Sequence, residues 1–320
     1  MRYLDHKKFI VNNLRRSLGL KYSPLHAKVE ITRKCNLNCR MCLRQKLKDH
    51  DRSMSMDMFK DIIDSNSFTT LYPHGYGEPL CHPRFLDMMS YCHSNNVETG
   101  LVTNGTLFSR GIAERYLRLN PYKVTFSIDS PFKKEYEYIR RGADFDVVMK
   151  NLRDVVKVRN RLDVDTRVSI HMTVNKFNKK SIPAMEVLCR DLGIGLSVSD
   201  ITVGHDVGTS KEEFSIRNGN YNGGGIRECK APWNSVYIDV SGDVFPCTDN
   251  LDFCLGNISE SSIFNIFNSD RMKRFRMLSR TGRLVSCNRC TLWSRGRPHI
   301  WRSYFKMLVR GVVDNVKRKE

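Results

Sequence analysis

The sequence predicts an α/β fold built on a mostly parallel sheet, and two observations support this. From residue 27 onward, strand-like apolar runs alternate with helix-like patterns, which is typical of right-handed βαβ units. Six such units fit into 27–205, short of the eight strands and roughly 250 residues of a closed (β/α)8 barrel. The 320 residues also leave room for a smaller second domain.

The individual elements are read from apolar spacing and from turn residues. The first helix is expected to begin at Ser55, a good N-cap residue, with Asp57 in its first turn. The other predicted helices are Pro83–Ser94, Ser109–Leu119, Phe145–Arg161 and Ser181–Leu192. The predicted strands are Ala27–Thr32, Thr69–Pro73, Val97–Thr103, Lys123–Asp129, Arg167–Val174 and Gly195–Val203.

The amino-acid composition indicates which kinds of partner and which cellular compartment to expect. Lys and Arg number 53 against 34 acidic residues, and a net charge of +19 attracts phosphates, nucleic acid or anionic lipid. The N-terminal residues lack the apolar run of a secretory signal, and no apolar run is long enough to span a membrane. Eleven cysteines without such a signal favour metal binding in a reducing compartment, so a cytoplasmic location is expected.

Three cysteines directly after the first predicted strand form the most informative motif. Cys35, Cys39 and Cys42 follow a Cys-x3-Cys-x2-Cys spacing, so three thiolates can converge on one centre from a single loop. Thiolates are the ligands of iron–sulfur clusters, and three thiolates on a four-iron cluster leave one iron open to a small molecule. The alternative, a structural zinc loop, lacks its usual fourth ligand within this loop.

This spacing, with the apolar Met41 before the last cysteine, resembles the signature of the radical S-adenosylmethionine (radical SAM) superfamily. The resemblance covers roughly residues 27–205 and implies a partial (β/α)6 TIM-like barrel. It also implies a 4Fe-4S cluster on Cys35, Cys39 and Cys42 whose open iron binds SAM, with Met41 among the cofactor-binding residues. Reductive cleavage of SAM would then give a 5′-deoxyadenosyl radical that removes a hydrogen atom from the substrate.

Motifs after the second and third strands extend the resemblance. The run Gly75-Tyr76-Gly77-Glu78-Pro79 resembles the superfamily's Gly-Gly-Glu-Pro motif, which binds the amino group of SAM, so Gly77, Glu78 and Pro79 are expected to bind the cofactor. A plain turn is the alternative for this run, and 103–105 is interpreted as an ordinary Asn-Gly turn.

Polar residues after the fourth and fifth strands complete the expected cofactor pocket. In the family, a Ser and an Arg in this region reach the ribose or carboxylate of SAM, which assigns Ser127 and Arg140 here. Arg141 competes with Arg140 for that role, and Asn175 is a further candidate for the same pocket. Asp129 could equally be a cap or turn residue.

A second set of cysteines follows a Gly- and Asn-rich stretch. The segment 236–244 is typical of a hairpin that would bring Cys229 and Cys247 together, and Cys287 and Cys290 would close a four-thiolate site. By count, four thiolates fit either a fully ligated cubane cluster or a zinc ion. Cys254 could replace one ligand, although a strand-packing thiol is favoured, and three further cysteines are expected to be ordinary thiols: Cys81, Cys92 and Cys189.

The spacing Cys-x12-Gly-x4-Cys and the later Cys-x2-Cys resemble the SPASM domain of radical SAM enzymes in its shortened twitch form, with an auxiliary 4Fe-4S cluster on four cysteines. This spacing is similar to that of twitch aminocyclitol dehydrogenases.

The expected segments are a basic helical segment (1–26), the radical SAM core (27–205), a linker (206–228), a twitch/SPASM-like domain of α+β type (229–298) and a basic amphipathic helix (299–320). That last helix is expected to pack on the barrel, and resting on an anionic membrane surface is the alternative.

The expected function is oxidation of a sugar, cyclitol or other small metabolite, with the auxiliary cluster accepting an electron. The net charge of +19 would suit an anionic substrate. A flavodoxin- or ferredoxin-type protein would donate the initial electron. The first alternative is a radical SAM maturase that modifies a peptide or protein. The second, from another class, is a zinc-binding nucleic-acid-binding protein that uses the positive charge.

Overall fold

The computed structural model describes residues 17–47, 49–65, 68–200, 229–248, 250–281, 283–284 and 287. Within these ranges the strands form one nine-stranded sheet in the order β6-β5-β4-β3-β2-β1-β7-β8-β9. The first six are parallel neighbours in sequence order. The strands are β1 His26–Val29, β2 Thr70–Pro73, β3 Glu98–Thr103, β4 Lys123–Ser127, β5 Arg167–Val174, β6 Gly195–Asp200, β7 Ser235–Ile238, β8 Asp243–Phe245 and β9 Gly256–Asn257.

Helices follow each of the first five strands and cover the outer face of the sheet. The helices are α1 Met56–Asp64, α2 Phe85–Ser94, α3 Arg110–Leu117, α4 Lys133–Ile139, α5 Phe145–Leu162, α6 Ile182–Asp191, α7 Ala231–Asn234, α8 Ile263–Phe267 and α9 Asp270–Arg280. Short 3-10 turns occupy Leu43–Lys46, Pro79–Cys81 and Lys179–Ser181.

Alternation along β1 separates an apolar outer face from a polar inner face. Ala27 and Val29 are buried in the main hydrophobic core, whereas Lys28 between them keeps accessible surface. The same period of two runs through β5, where Ile170 is fully buried and the neighbouring His171 is only half-buried. The inner face is therefore polar, as expected for a barrel that encloses a site.

The six predicted core strands and the open, partial barrel are confirmed. The first helix begins after Ser55, whose hydroxyl accepts a hydrogen bond from the Met58 amide at 3.1 Å. Helix α4 was not predicted. It is seven residues long, and only Tyr136 and Ile139 are buried. Two apolar positions are too few for helical periodicity to be recognised in the sequence.

The predicted C-terminal hairpin is also present, and it continues the barrel sheet. Strand β7 pairs in parallel with β1 and antiparallel with β8. The turn between them has Gly242 at φ +84°, a left-handed conformation that suits glycine. The Asp239 carboxylate accepts hydrogen bonds from the Ser241 and Asp243 amides and so fixes this turn.

Arg276 on α9 anchors the C-terminal region, and it has no carboxylate partner among the residues that the structure describes. It is fully buried, and its guanidinium donates hydrogen bonds to the carbonyls of Leu18, Pro232 and Phe267 at 2.7, 2.9 and 2.8 Å. Burial lowers the pKa of Arg276 to about 10, so it remains a cation at neutral pH.

Several predicted segments lie wholly or partly outside the described residues. These are most of the N-terminal segment (1–26), the linker (206–228), the last residues of the sixth predicted strand and the C-terminal helix (299–320). Residues 17–26, the described part of the predicted N-terminal helical segment, are not helical, and β1 begins at His26. No helix in the described ranges is both long enough and apolar enough to cross a membrane.

Candidate active site

The loop that carries Cys35, Cys39 and Cys42 begins at the carboxyl end of β1, where parallel α/β folds place their reacting groups. All three are free thiols, with Cys39 buried and the other two half-buried. The pKa of Cys35 is raised to about 11 and that of Cys39 to about 12, and burial is the main cause of both shifts. Each of these pKa values is raised further by the charges of the other thiols in the motif, so the three groups lie close together.

One wall of this loop is the end of helix α4. The amides of Asn38 and Arg40 donate hydrogen bonds to the carbonyls of Arg141 and Ile139, at 2.9 and 3.0 Å. Met41 packs against Ile139 on the same side. The helix missed from the sequence therefore supports the cysteine loop.

The opposite wall is the Gly75–Pro79 turn. The Glu78 amide donates a hydrogen bond to the Lys34 carbonyl at 2.8 Å. A Cβ on Gly77 would collide with the carbonyl oxygens of Thr32 and Lys34, so only glycine allows this approach to the cysteine loop. Gly77 is therefore needed for packing against the cysteine loop, in addition to its expected role in SAM binding.

The Glu78 carboxylate is buried and accepts three hydrogen bonds from the protein. Its donors are the Thr103 hydroxyl and the Asn104 amide, both at 2.7 Å, and the Leu80 amide at 3.2 Å. Pro79 is buried at the start of the following 3-10 turn. Because a carboxylate has about four lone-pair positions, Glu78 has little capacity left for a ligand, and its contacts join β2 to β3.

Asn104 is a site residue that the sequence interpretation missed. Its side-chain amide lies 3.9 Å from the Cys35 sulfur and donates a hydrogen bond to Asn36 Oδ1 at 3.0 Å. The Cys81 sulfur lies 3.9 Å from the same Asn36 oxygen, so this thiol also borders the cysteine loop. An Asn-Gly pair alone indicates only a turn. The sequence signal that could have identified Asn104 as a site residue is its position directly after a strand.

Arg140 and Asp129 form a buried ion pair beside the loop. Arg140 Nε lies 2.7 Å from Asp129 Oδ2, although the two atoms lack hydrogen-bond geometry. Asp129 Oδ1 accepts a hydrogen bond from the Thr173 amide at 2.8 Å. Arg141 is exposed, so the structure distinguishes the two candidate arginines, and Arg140 is the one that lies near Cys39.

The remaining predicted cofactor residues fall at the same end of the barrel. Ser127 ends β4 and pairs in register with His171 on β5. Asn175 is fully buried, and its Oδ1 accepts a hydrogen bond from the Phe177 amide at 2.9 Å, while its Nδ2 approaches the Thr173 carbonyl. Asn175 therefore shapes its own turn, and this geometry does not favour ligand binding by its side chain.

The described auxiliary cysteines lie in and around the C-terminal hairpin. Cys229, Cys247 and Cys287 are half-buried, and the Asn250 side-chain amide donates a hydrogen bond to the Cys247 sulfur at 3.1 Å. Cys290 lies outside the described residues. Cys254 donates to the Gly256 carbonyl at 3.7 Å, as expected for a packing thiol beside β9.

The inner face of the barrel carries further titratable groups that the motifs did not reveal. His74 follows β2, and its pKa is influenced by Lys28 on β1 and by His171 on β5. His74 is largely surrounded by protein atoms and keeps only part of its surface accessible. Burial therefore lowers the pKa of His74 to about 3.

This lowered pKa predicts an acid-sensitive contribution to stability. Between its ordinary pKa near 6.5 and the folded value of about 3, His74 takes up a proton only in the unfolded chain. Its contribution to the free energy of unfolding should fall by about 2 kcal/mol between pH 7 and pH 5. Urea unfolding at both pH values checks this, and His74→Gln should lose that part of the pH dependence. An unchanged pH dependence in the variant would contradict the assignment.

The donor set of the loop fits an iron–sulfur cluster, because thiolates are the ligands of such clusters. In a cubane cluster each thiolate binds a different iron, so the three sulfur atoms surround the cluster and do not share one metal ion. Three neighbouring free thiols at the carboxyl end of an open parallel sheet define an iron–sulfur enzyme of the partial-barrel class.

Comparison with family models identifies the family. The model described as the radical SAM superfamily matches residues 29–186, and the model of the SPASM iron–sulfur cluster-binding domain matches 229–291. The chain belongs to the radical SAM superfamily and carries a C-terminal SPASM domain. Its cofactors are therefore a SAM-binding 4Fe-4S cluster, an auxiliary iron–sulfur cluster and SAM, which favours iron–sulfur chemistry over the zinc alternative.

Curated relatives extend over most of the chain. The tungsten-containing aldehyde ferredoxin oxidoreductase cofactor-modifying protein of Pyrococcus furiosus is 26% identical, covering 82% of this chain and 86% of the relative. The antilisterial bacteriocin subtilosin biosynthesis protein AlbA of Bacillus subtilis is 29% identical, covering 77% of this chain and 60% of the relative. The mycofactocin maturase MftC of Mycobacterium tuberculosis is 23% identical, covering 83% and 76%.

Solved structures share the fold. SuiB of Streptococcus suis bound to S-adenosylmethionine has a TM-score of 0.66 at 16% identity, over 88% of this chain and 75% of SuiB. BtrN in complex with AdoMet and 2-DOIA has a TM-score of 0.53 at 18% identity, over 83% of this chain and 91% of BtrN. These similarities confirm the partial barrel with a small C-terminal domain.

Proposed function

We propose that this radical SAM enzyme is a maturase that modifies a peptide substrate. The observation that carries the proposal is the set of relatives spanning more than three quarters of the chain, which are named as modifying, biosynthesis or maturase proteins. Among the structures of the same fold, SuiB is bound to the precursor peptide SuiA. The expected oxidation of a sugar or cyclitol has no support among these curated relatives, so the peptide alternative replaces it.

The protein's own residues would position the reacting groups. Cys35, Cys39 and Cys42 would hold the SAM-binding cluster, which with SAM supplies the radical chemistry that removes a hydrogen atom from the substrate. The Gly77–Glu78 turn and the end of α4 would fix the loop between them. Arg140, held by Asp129, would present a cation beside the loop for the carboxylate of SAM.

The second cysteine set would serve electron transfer. Cys229, Cys247, Cys287 and Cys290 would hold the auxiliary cluster with every iron ligated by the protein, which leaves no iron free for substrate. An external flavodoxin- or ferredoxin-type donor would supply the first electron.

Anaerobically reconstituted protein provides the test. It would be incubated with SAM and dithionite, together with either a pooled synthetic peptide library or a panel of sugars and cyclitols. We expect the peptide pool to stimulate formation of 5′-deoxyadenosine and some peptides to change mass. Stimulation by the sugars or cyclitols alone would overturn the peptide assignment.

A further inference from the structure

Lys28 is a cation on the inner face of the barrel that has no protein partner in the described part of the chain. Its position in the parallel register is beside Tyr72 on β2 and Tyr237 on β7, both of which lack negative charge at neutral pH. Among the described residues, no hydrogen bond or ion pair involves its ammonium group. A half-buried ammonium in this position lacks the counter-charge that such groups normally have.

Two inner-face carboxylates toward the cysteine loop are already occupied. Glu30, directly after β1, accepts hydrogen bonds from Arg33 Nε at 3.0 Å and from the Tyr76 amide at 2.7 Å. Asp129 is paired with Arg140. Neither carboxylate is therefore free to neutralise Lys28.

Lys28 is in register with Tyr72, and His74 lies two residues beyond Tyr72 on the same inner face, where its amide donates a hydrogen bond to the Val29 carbonyl at 3.0 Å. Among the described residues, no hydrogen bond involves the His74 ring. Its neutral imidazole offers one N–H donor. His171, which lies on β5 and also influences His74, differs because both of its ring nitrogens contact serine hydroxyls, Ser197 at 3.3 Å and Ser199 at 3.1 Å.

Aromatic side chains pack beside Lys28 and toward the amino-terminal end of the barrel. A Cβ on Gly100 would collide with the Tyr72 ring, so this ring packs directly against β3. The Tyr122 ring packs edge-on against Tyr72, with 5.5 Å between centroids, and the Arg167 guanidinium lies over Tyr122. With these side chains on the amino-terminal side, the end that carries the cysteine loop is the side from which a ligand would approach Lys28.

We propose that the Lys28 ammonium and the His74 imidazole form a subsite that binds one carboxylate of the substrate inside the barrel. This subsite rests on the proposed function, because an acidic side chain or a free C-terminus of a peptide supplies the carboxylate. One ammonium and one neutral imidazole match a monoanion, and a phosphate dianion would leave a charge uncompensated. A charge-assisted hydrogen bond from Lys28 would hold the peptide at a fixed depth below the cysteine loop.

Calorimetric titration of the reconstituted holoprotein with small probes tests the subsite. The probes are N-acetylglutamate α-amide for the side-chain source, N-acetylalanine for the C-terminal source, and inorganic phosphate. N-acetylglutamine amide is the neutral control. We expect at least one carboxylate probe to bind, and the preferred one identifies the source.

Variants assign the binding to the two residues. Lys28→Met should raise the Kd of the preferred probe about tenfold to a hundredfold, and His74→Gln about threefold to tenfold. Lys28→Arg should retain most of the affinity, and Lys157→Met, an exposed lysine on α5, should change nothing. Circular dichroism and iron content show whether each variant is folded and loaded.

The outcomes separate this subsite from the proposed function. Unchanged binding in Lys28→Met, equal binding of the glutamine control, tighter binding of phosphate, or no saturable binding at all would overturn the subsite. If carboxylate binding depends on Lys28 but no peptide stimulates 5′-deoxyadenosine formation, the proposed function fails and the subsite stands. If peptides are modified while Lys28→Met prefers acidic peptides as strongly as the native protein, the subsite alone fails.

Discussion

Replacing Cys35, Cys39 and Cys42 together with alanine should abolish formation of 5′-deoxyadenosine from SAM. The three thiols are neighbours in one loop, and without them the SAM-binding cluster has no protein ligands. Anaerobic assay with dithionite measures the activity, and analysis of iron and sulfide should show the loss of one cluster from each chain.

The matched control is Cys189→Ala. Cys189 is a buried cysteine on α6, away from the cysteine loop, and its removal should leave the iron content and SAM cleavage near native values. Continued SAM cleavage by the triple variant would contradict the assignment of the loop.

Replacing Arg140 with methionine should lower the free energy of unfolding by about 3–5 kcal/mol. The reason is that Asp129 is fully buried and would lose its ion-pair partner, which leaves an uncompensated charge beside the cysteine loop. Urea unfolding of the apoprotein at neutral pH measures the change, so the result does not depend on cluster loading.

The neighbouring residue provides the control for this variant. Arg141→Met removes an exposed charge and should change the free energy of unfolding by less than about 0.5 kcal/mol. Adding Asp129→Asn to Arg140→Met should recover part of the loss, because the buried charge is then removed. Equal effects of the two arginine variants would show that the ion pair contributes nothing to stability.

Much of the fold could be predicted because its signal is local. Strand β5, for example, alternates between buried Ile170 and inward-facing His171, and such a period of two is visible in a single sequence. The cysteine loop was equally accessible, since its three ligands lie within eight residues of one another. Glu78 was singled out for its motif, although its three protein hydrogen bonds could not be foreseen.

The missed features depend on contacts between distant segments. The proximity of Asn104 to Cys35 joins residues that are far apart in the chain, and nothing in the intervening sequence encodes that approach. The inward direction of Lys28 and its closeness to His74 follow from the strand register. A shift of one residue in that register would turn the Lys28 side chain to the opposite face of the sheet. The sequence leaves the substrate class open, because a polar barrel interior is compatible with sugars as well as with peptides.

The parallel pairing of β1 with β7 has a consequence for how the chain folds. His26 is paired with Ser235, so the first strand gains its second neighbour only from a segment 235 − 26 = 209 positions later. Contacts at such sequence separation carry a large loop-closure entropy and slow the folding reaction. During synthesis on the ribosome, one edge of the first strand therefore stays unpaired until the segment that forms β7 has emerged.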